Sequence, residues 1–214
     1  MHATLIAYDV TIAAVLSELR YNITAPVTPL SVTHLPTPVS WPSSAKPGAT
    51  ILFSLRLVVD PDLAPAHATT DYWLANLDDT TPQDFRALGA LRDHITAYVK
   101  LQATVCLEDD AAAPRIVLTL TAPAGTAAVA FACRASLRWV TPPRGSDDSR
   151  ILPVVQSRNY VALVPGDSVV ITFHTAALAQ GLRQAMQVEL DGWNVVSLSL
   201  PVNRVCMPAQ RSQW

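Results

Sequence analysis

The chain of 214 residues is 50% hydrophobic and 15% charged, a globular composition whose length suits one large domain or two modules of about 100 residues. Its net charge is −2, and only Lys46 and Lys100 among 15 basic residues are lysines, which excludes a basic stripe for nucleic acid. No apolar run reaches the roughly 18 residues that cross a bilayer, and Met1–Val15 lacks a basic start and is interrupted by Asp9, so neither a membrane anchor nor a secretory signal is expected.

Alternation of apolar and polar residues recurs along the chain and predicts half-buried β-strands. In chain order, the rows predicted to share a face are Phe53, Leu55, Leu57 and Val59; Ile116, Leu118 and Leu120; Val129, Phe131, Cys133, Ala135 and Leu137; Val169, Ile171 and Phe173; and Val196, Leu198 and Leu200. Most of the 17 prolines lie between these rows, where a missing N–H ends a strand pairing without breaking it. Pro165 and Gly166 predict a type II turn over 164–167, because they occupy its second and third positions. Short strands with this spacing predict an all-β fold of the sandwich type.

One segment, Thr81–Leu88, has the pattern of a helix, since Thr81 can cap it, Pro82 suits its first turn and Asp84 favours its dipole. Strand patterns lie on both sides of it. We therefore predict a first module over 1–80, a linker with a short helix over 81–96, a second module over 97–203 and a tail over 204–214.

The three cysteines, Cys106, Cys133 and Cys206, show no Cys-x-x-Cys spacing, which argues against a zinc site and against a disulfide framework. Buried free thiols are the favoured interpretation. A bridge between Cys106 and Cys133 is the alternative, if the two residues lie on facing strands.

The residues that usually carry catalysis form no recognisable site. Glutamate occurs only at positions 18, 108 and 189, and the aspartate pairs at 78–79, 109–110 and 147–148 are read as solvated loops, because neighbours on a strand point to opposite faces. The histidines are widely separated, and the 7 glycines form no nucleophile elbow, phosphate loop or dinucleotide motif. We expect no complete enzyme active site, no metal and no cofactor.

Tyr72, Trp73 and Trp193 lie on or beside predicted strands. Aromatic rings on a surface can stack on sugar rings, which leaves carbohydrate binding open. Large aromatic side chains also contribute heavily to buried cores, and this structural interpretation is favoured.

The stretch 150–167, which contains Asn159-Tyr160 and Pro165-Gly166, resembles a segment of family 2 glycoside hydrolases. In the exo-β-glucosaminidase and β-mannosidase branch, the C-terminal immunoglobulin-like domain carries a similar run of Pro-Val, Tyr-Ser-Asp-Asn-Tyr and Leu-Pro-Gly-Glu. Gly192-Trp193-Asn194 resembles the Gly-Trp-Asn that follows near its last strand. Gln156 and Arg158 depart from this pattern, standing where tyrosine and aspartate are usual.

A second part of the resemblance lies upstream. Phe53–Leu57, followed by Asp71-Tyr72-Trp73, is similar to the strand pair that closes the preceding domain of these enzymes. The resemblance thus implies two immunoglobulin-like β-sandwich modules in series. The first is expected to lack its N-terminal strands, because Thr4–Val10 looks like a strand from the middle of a domain.

For function, the resemblance implies a non-catalytic C-terminal region of an O-glycosyl hydrolase. Its partners would be the sugar-binding domain and the (β/α)₈ barrel that holds the catalytic glutamates, and the parent family is often secreted, lysosomal or vacuolar. Asn159, Tyr160 and Trp193 are the candidate sugar contacts, whereas Asp71, Tyr72, Trp73, Pro165, Gly166, Gly192, Trp193 and Asn194 are expected to be structural. The alternative is a stand-alone carbohydrate-binding or protein-interaction module.

Overall fold

The computed structural model describes residues 2–23, 40, 42–45, 50–58, 67–75, 98–108, 114–142, 148–179, 186–202 and 205–206, with the backbone alone for 58 and 67–75. The regular structure of these residues is β-strand apart from one helix of 4 residues, which confirms the predicted fold class. The chain divides into two compact units, Met1–Thr96 and Ala97–Trp214. The predicted helix Thr81–Leu88 and the linker around it lie outside the described ranges, so the module boundaries stay a prediction.

The described residues of the first unit form one antiparallel sheet of four strands in the order β2-β1-β3-β4. The strands are β1 (His2–Asp9), β2 (Val15–Asn22), β3 (Thr50–Val58) and β4 (His67–Ala75). β1 pairs with β2 on one side and with β3 on the other, so the segment predicted as a mid-domain strand is a central strand of this sheet.

The predicted row on β3 is half-buried, and the opposite face of the strand is buried as well. Phe53 and Leu55 are only half-buried, whereas Ser54 is 3% exposed and Leu52 is 1% exposed. Ile51 and Leu52 point to opposite faces and are both buried, so both faces of the strand are covered at this point. Alternation cannot identify the buried face where both faces are covered, and Val59 lies outside the described residues.

In the second unit, the residues that the structure describes form two antiparallel sheets of four strands each, in the orders β5-β6-β10-β8 and β12-β11-β7-β9. Its elements are β5 (Gln102–Glu108), β6 (Arg115–Thr121), β7 (Ala130–Trp139), β8 (Val155–Gln156), β9 (Val161–Leu163), β10 (Ser168–His174), α1 (Ala176–Ala179), β11 (Met186–Asp191) and β12 (Leu198–Pro201). Residues from both sheets form one apolar core.

Two predicted rows lie in this core. Ile116, Leu118 and Leu120 of β6 are each 0% exposed, and Ile171 and Phe173 of the neighbouring β10 are almost equally buried. Each fully buried side chain of this size stabilises the fold by about 1.5–3 kcal/mol relative to an exposed one. The alternation is reliable here because the other face of the same strands is open to solvent in part.

The row predicted on β7 is interrupted by a bulge. The register with β9 shifts between Ala130 and Cys133, and Ala132 has a φ of 50°. Ala130 and Cys133 therefore both contribute to the core, whereas Phe131 is buried outside it. The prediction of one straight row is wrong for Val129 and Phe131, because an extra residue reverses the parity of the strand.

The last predicted row also needs a correction. Val196 is 39% exposed and precedes β12, while Leu198 and Leu200 pack against the core. The backbone of Val196 is instead bonded to the start of the unit, since its N–H donates to the Val99 carbonyl at 3.0 Å.

The turn between β9 and β10 forms as predicted. The Asp167 N–H donates to the Val164 carbonyl at 3.0 Å, and Gly166 has a φ of 88°. The Gly166 N–H also donates to the Ala122 carbonyl at 2.8 Å, which ties the turn to the end of β6.

The cysteine prediction is correct only for Cys133, which is a buried free thiol. Cys106 and Cys206 form a disulfide across 100 residues of sequence. A bridge from Cys106 to Cys133 cannot form, because Leu107 and Cys133 lie in the core and Cys106, next to Leu107, points to the opposite face. Burial raises the pKa of the Cys133 thiol to about 12, which keeps it protonated and unreactive.

This cysteine pairing predicts how many thiols react with iodoacetamide. We expect no label on the native chain at neutral pH, one label after unfolding without a reductant, and three after unfolding with one. Peptide mass spectrometry should place the single label on Cys133. A label on Cys106 or Cys206 before reduction would contradict the pairing.

Gly166→Ala should destabilise the chain by about 1–2 kcal/mol, the cost of a left-handed backbone for a residue with a Cβ. A Cβ at this position meets no atom within 4 Å, so backbone strain alone is measured. Gly125→Ala is the matched control, because it is equally unobstructed and lacks a positive φ. Urea unfolding of both variants gives the comparison, and equal midpoints would be inconsistent with the turn.

Candidate functional site

Gly192-Trp193-Asn194 follows β11 directly and is packed closely against the bulged start of β7. A Cβ on Gly192 would lie 2.9 Å from Cγ2 of Val195 and 3.1 Å from the carbonyl oxygen of Phe131. Distances this short exclude a larger residue unless the backbone moves. Glycine is therefore required here for close approach.

Asn194 bonds this segment to the bulge. Asn194 is 4% exposed. Its Oδ1 accepts the Phe131 N–H at 2.9 Å, and its Nδ2 donates to the Val129 carbonyl at 2.8 Å. The Trp193 N–H adds a bond to the Phe131 carbonyl at 3.1 Å. The bulge interrupts the hydrogen bonding between strands at this point of β7. The Asn194 amide therefore serves as the hydrogen-bond partner of the backbone groups left there.

The same residue also ties down the start of the second unit. The Val99 N–H donates to the Asn194 carbonyl at 2.6 Å, and Val99 and Val195 form a parallel bridge. Asn194 therefore joins the entering segment, the bulged strand and the end of β11. These hydrogen bonds all go to the backbone of the same domain, so the role of Asn194 in the described structure is to stabilise the fold.

Trp193 is 42% exposed. Its ring system packs against Phe131 in an edge-to-face arrangement, with the ring centroids 6.1 Å apart and an angle of 87° between the ring planes. Such edge-to-face pairs contribute about 0.5–1.5 kcal/mol beyond the area that they bury. The ring is anchored by this contact and keeps a solvent-facing part.

Tyr160 is 62% exposed and has a φ of 54°, a conformation that residues with a Cβ rarely adopt. Its N–H donates to Oδ1 of Asn159 at 3.0 Å. The next residue, Val161, begins β9 and pairs with Cys133 of β7, which fixes the backbone directly after Tyr160.

The Tyr160 side chain interacts with an ion pair on the neighbouring strands. Arg134 of β7 lies opposite Asp191 of β11 and donates to both carboxylate oxygens, at 3.1 and 2.6 Å. Asp191, and to a smaller degree a hydrogen bond with Tyr160, raises the pKa of Arg134 above its ordinary value. The structure therefore brings together Tyr160, Arg134 and Asp191, with Trp193 two residues beyond.

Arg134 and Asp191 were not among the candidates from the sequence, because they are 57 residues apart and carry no motif. Sheet register alone makes them neighbours. Of the upstream motif, Asp71, Tyr72 and Trp73 lie on β4 opposite Ser54, Phe53 and Leu52 of β3, which confirms the strand pair. No observation tests whether Asn159, Tyr160 or Trp193 contacts a sugar, so that role stays a prediction.

The glutamates are all held in ion pairs with arginine. Glu18 binds Arg20, Glu108 binds Arg115 and Glu189 binds Arg138. None of these contacts joins two carboxylates, which is the arrangement that glycoside hydrolysis requires.

Of the aspartate pairs, Asp148 alone is described, and it is exposed as expected. Hydrogen bonds from Arg150 lower its pKa to about 2. Within the described ranges, no group of three or more His, Cys, Asp or Glu residues could hold a metal ion, and no helix is long and apolar enough to cross a membrane.

Two four-stranded antiparallel sheets that pack on one apolar core define the second unit as an immunoglobulin-like β-sandwich domain. The chain belongs to the family of exo-β-D-glucosaminidase Ig-fold domains, whose family model matches residues 75–195. This match confirms the resemblance to the immunoglobulin-like domains of family 2 glycoside hydrolases.

Solved structures show the same fold. The exo-chitosanase CsxA of Amycolatopsis orientalis matches 94% of this chain with a TM-score of 0.68 and 19% sequence identity. A complex of that enzyme with PNP-β-D-glucosamine gives 0.68 and 20%, and the exo-β-D-glucosaminidase CsxA studied with castanospermine and australine analogues gives 0.67 and 22%, again over 94% of this chain. The chain spans 23% of the length of each solved protein. Comparison with the curated proteins gives no match.

Asn194→Ala should destabilise the second unit by about 2–4 kcal/mol, because it leaves a buried N–H and a buried carbonyl unpartnered at about 1–3 kcal/mol each. The matched control is Asn159→Ala, which removes a hydrogen bond from an exposed segment and should cost less than about 1 kcal/mol. Urea unfolding followed by tryptophan fluorescence measures both. Equal losses in the two variants would contradict the internal role of Asn194.

Proposed function

We propose that this chain is a non-catalytic β-sandwich region of a family 2 glycoside hydrolase of the exo-β-glucosaminidase type, and that it supports a catalytic barrel that these residues do not form. The observation that carries the proposal is the family match over 75–195, which covers more than half of the chain. The motif that resembles the family, Gly192-Trp193-Asn194, has structural contacts in this fold. A scaffold role follows from such contacts more directly than a catalytic one.

The use of the carboxylates supports the same proposal. A glycosidase of this class needs two carboxyl groups about 5–9.5 Å apart with a sugar between them. Here Glu189 and Asp191 lie on one strand, and each is neutralised by an arginine of β7. Carboxylates in such ion pairs are poor candidates for a general acid, which needs a raised pKa.

The amino-sugar branch is preferred to the mannosidase branch. The family description names exo-β-D-glucosaminidase, and one solved neighbour was captured with PNP-β-D-glucosamine. The parent activity proposed here is therefore removal of β-linked glucosamine units from a polymer. The proposed partners are the barrel and the sugar-binding domain of the same enzyme. This chain spans only 23% of the length of the solved relative, and these domains would belong to the remainder.

The proposal predicts that the purified chain does not hydrolyse p-nitrophenyl β-D-glucosaminide or p-nitrophenyl β-D-mannoside. Restoration of activity is the second part of the test. We expect a relative that lacks its matching quarter to be inactive or insoluble, and to recover hydrolysis when this chain replaces that quarter.

A matched pair of variants makes the experiment specific. In the hybrid enzyme, Asn194→Ala should lower the melting temperature by several degrees, in proportion to the loss of about 2–4 kcal/mol in the isolated chain, and Asn159→Ala should not. The Michaelis constant should be unchanged in both. Two outcomes would refute the support role. One is hydrolytic activity that stays with the isolated chain through several purification columns, and the other is a hybrid enzyme that folds but stays inactive.

A further inference from the structure

Among the strands that the structure describes, four lie at the edges of the two sheets of the second unit, and three of these are too short to pair stably with another chain. β8 has 2 residues, β9 has 3, and β12 has 4 and ends in Pro201. Short edges and edge prolines are usual means by which sheets avoid pairing with other molecules. The fourth edge strand, β5, has 7 residues and shows neither feature.

β5 also lacks the other usual protections. Its pairing with β6 runs from Gln102 opposite Thr121 to Glu108 opposite Arg115 without a bulge. The strand contains no lysine, arginine or proline, and its single charge, Glu108, lies at one end and is neutralised by Arg115. An edge of this length, with no bulge, no proline and no charge between its ends, is a template for strand pairing.

The C-terminal segment covers part of this edge. Val205 forms a parallel bridge with Leu107, the Cys206 N–H donates to the Leu107 carbonyl at 2.8 Å, and Cys206 is joined to Cys106 by the disulfide. The described part of the segment makes one bridge and one backbone hydrogen bond with β5. Within the described residues, this short pairing and the disulfide are what hold the segment beside β5.

We propose that the β5 edge is a pairing surface for a second copy of this chain, which the disulfide-anchored segment 205–206 blocks at Leu107 and which reduction makes available. The occupant follows from the sequence of the strand. An antiparallel pair of β5 strands centred on Val105 places Glu108 of each copy opposite Gln102 of the other, so the two carboxylates lie at opposite ends. The residues between them are uncharged, and a two-fold axis makes the pairing self-complementary.

The switching step needs a dithiol reductant. One thiolate of the reductant attacks the Cys106–Cys206 bond and forms a mixed disulfide, and its second thiolate then displaces the remaining cysteine. The reductant leaves with its own disulfide after losing two electrons, and Cys106 and Cys206 each gain a proton. Re-oxidation restores the covered edge.

The test measures the mass of the full chain by light scattering after size exclusion, with and without dithiothreitol. The oxidised chain should be a monomer, and the reduced chain should double its mass in a concentration-dependent way. The double variant Cys106→Ser with Cys206→Ser should do so without a reductant. Cys133→Ser, which leaves the disulfide intact, should behave as the unchanged chain in both conditions.

A charged edge residue tests whether β5 itself is the contact. In the double-serine background, Thr104→Lys should restore the monomer, because Thr104 is exposed in the middle of β5 and the variant places two lysines near the proposed axis. Ser199→Lys, an exposed position on the edge strand β12, should leave the dimer unchanged. Amides of 102–108 should exchange faster in the restored monomer than in the oxidised chain.

A reduced chain that stays monomeric, or a dimer that survives Thr104→Lys, would overturn the proposal. Circular dichroism checks that the double-serine variant is folded. If it unfolds, the disulfide holds the whole fold and is no removable cover, which overturns the proposal as well.

Discussion

The hydrogen bonds of the Asn194 side chain hold together the most irregular part of the second unit. At the bulge in β7, Val129 and Phe131 are buried outside the core, and the backbone groups freed there need hydrogen-bond partners away from water. One amide satisfies a donor and an acceptor at the same time. Because the carbonyl of Asn194 also accepts from Val99, the position of the entering segment depends on the same residue.

This constraint explains the exposed aromatic and charged residues nearby. Gly192 allows the chain to approach the Phe131 backbone closely, and the Trp193 ring packs against the buried Phe131 ring. Asp191 forms an ion pair with Arg134 on the neighbouring strand. The bulge changes the direction of β7 where Tyr160 reaches Arg134. The polar outer face of this sheet is thus arranged by contacts within the domain.

The opposite sheet is held differently. Its outer face has few charges, and its long edge strand is covered by a segment that a disulfide fixes in place. Disulfides persist in oxidising compartments and are rare where thiols are kept reduced. In the second unit, side-chain hydrogen bonds therefore stabilise the irregular part of one sheet, and a disulfide holds a covering segment at the edge of the other.

The sequence by itself determined the all-β fold, the strands β6 and β10 with their buried rows, the turn at 164–167 and the family resemblance. Each of these depends on residues close together in the chain, such as Pro165-Gly166 or the alternation around Leu118. The first-unit face around Ser54 could not be predicted, because alternation does not reveal which face is covered when both are.

Tertiary structure alone decided the contacts between distant residues. The bulge at Ala132, the pairing of Arg134 with Asp191, the double hydrogen bond of Asn194 and the choice of Cys206 as the partner of Cys106 all depend on which strands become neighbours. Spacing along the chain carries no record of that choice. It is made by the packing of the two sheets, which places Cys133 in the core and Cys106 outside it.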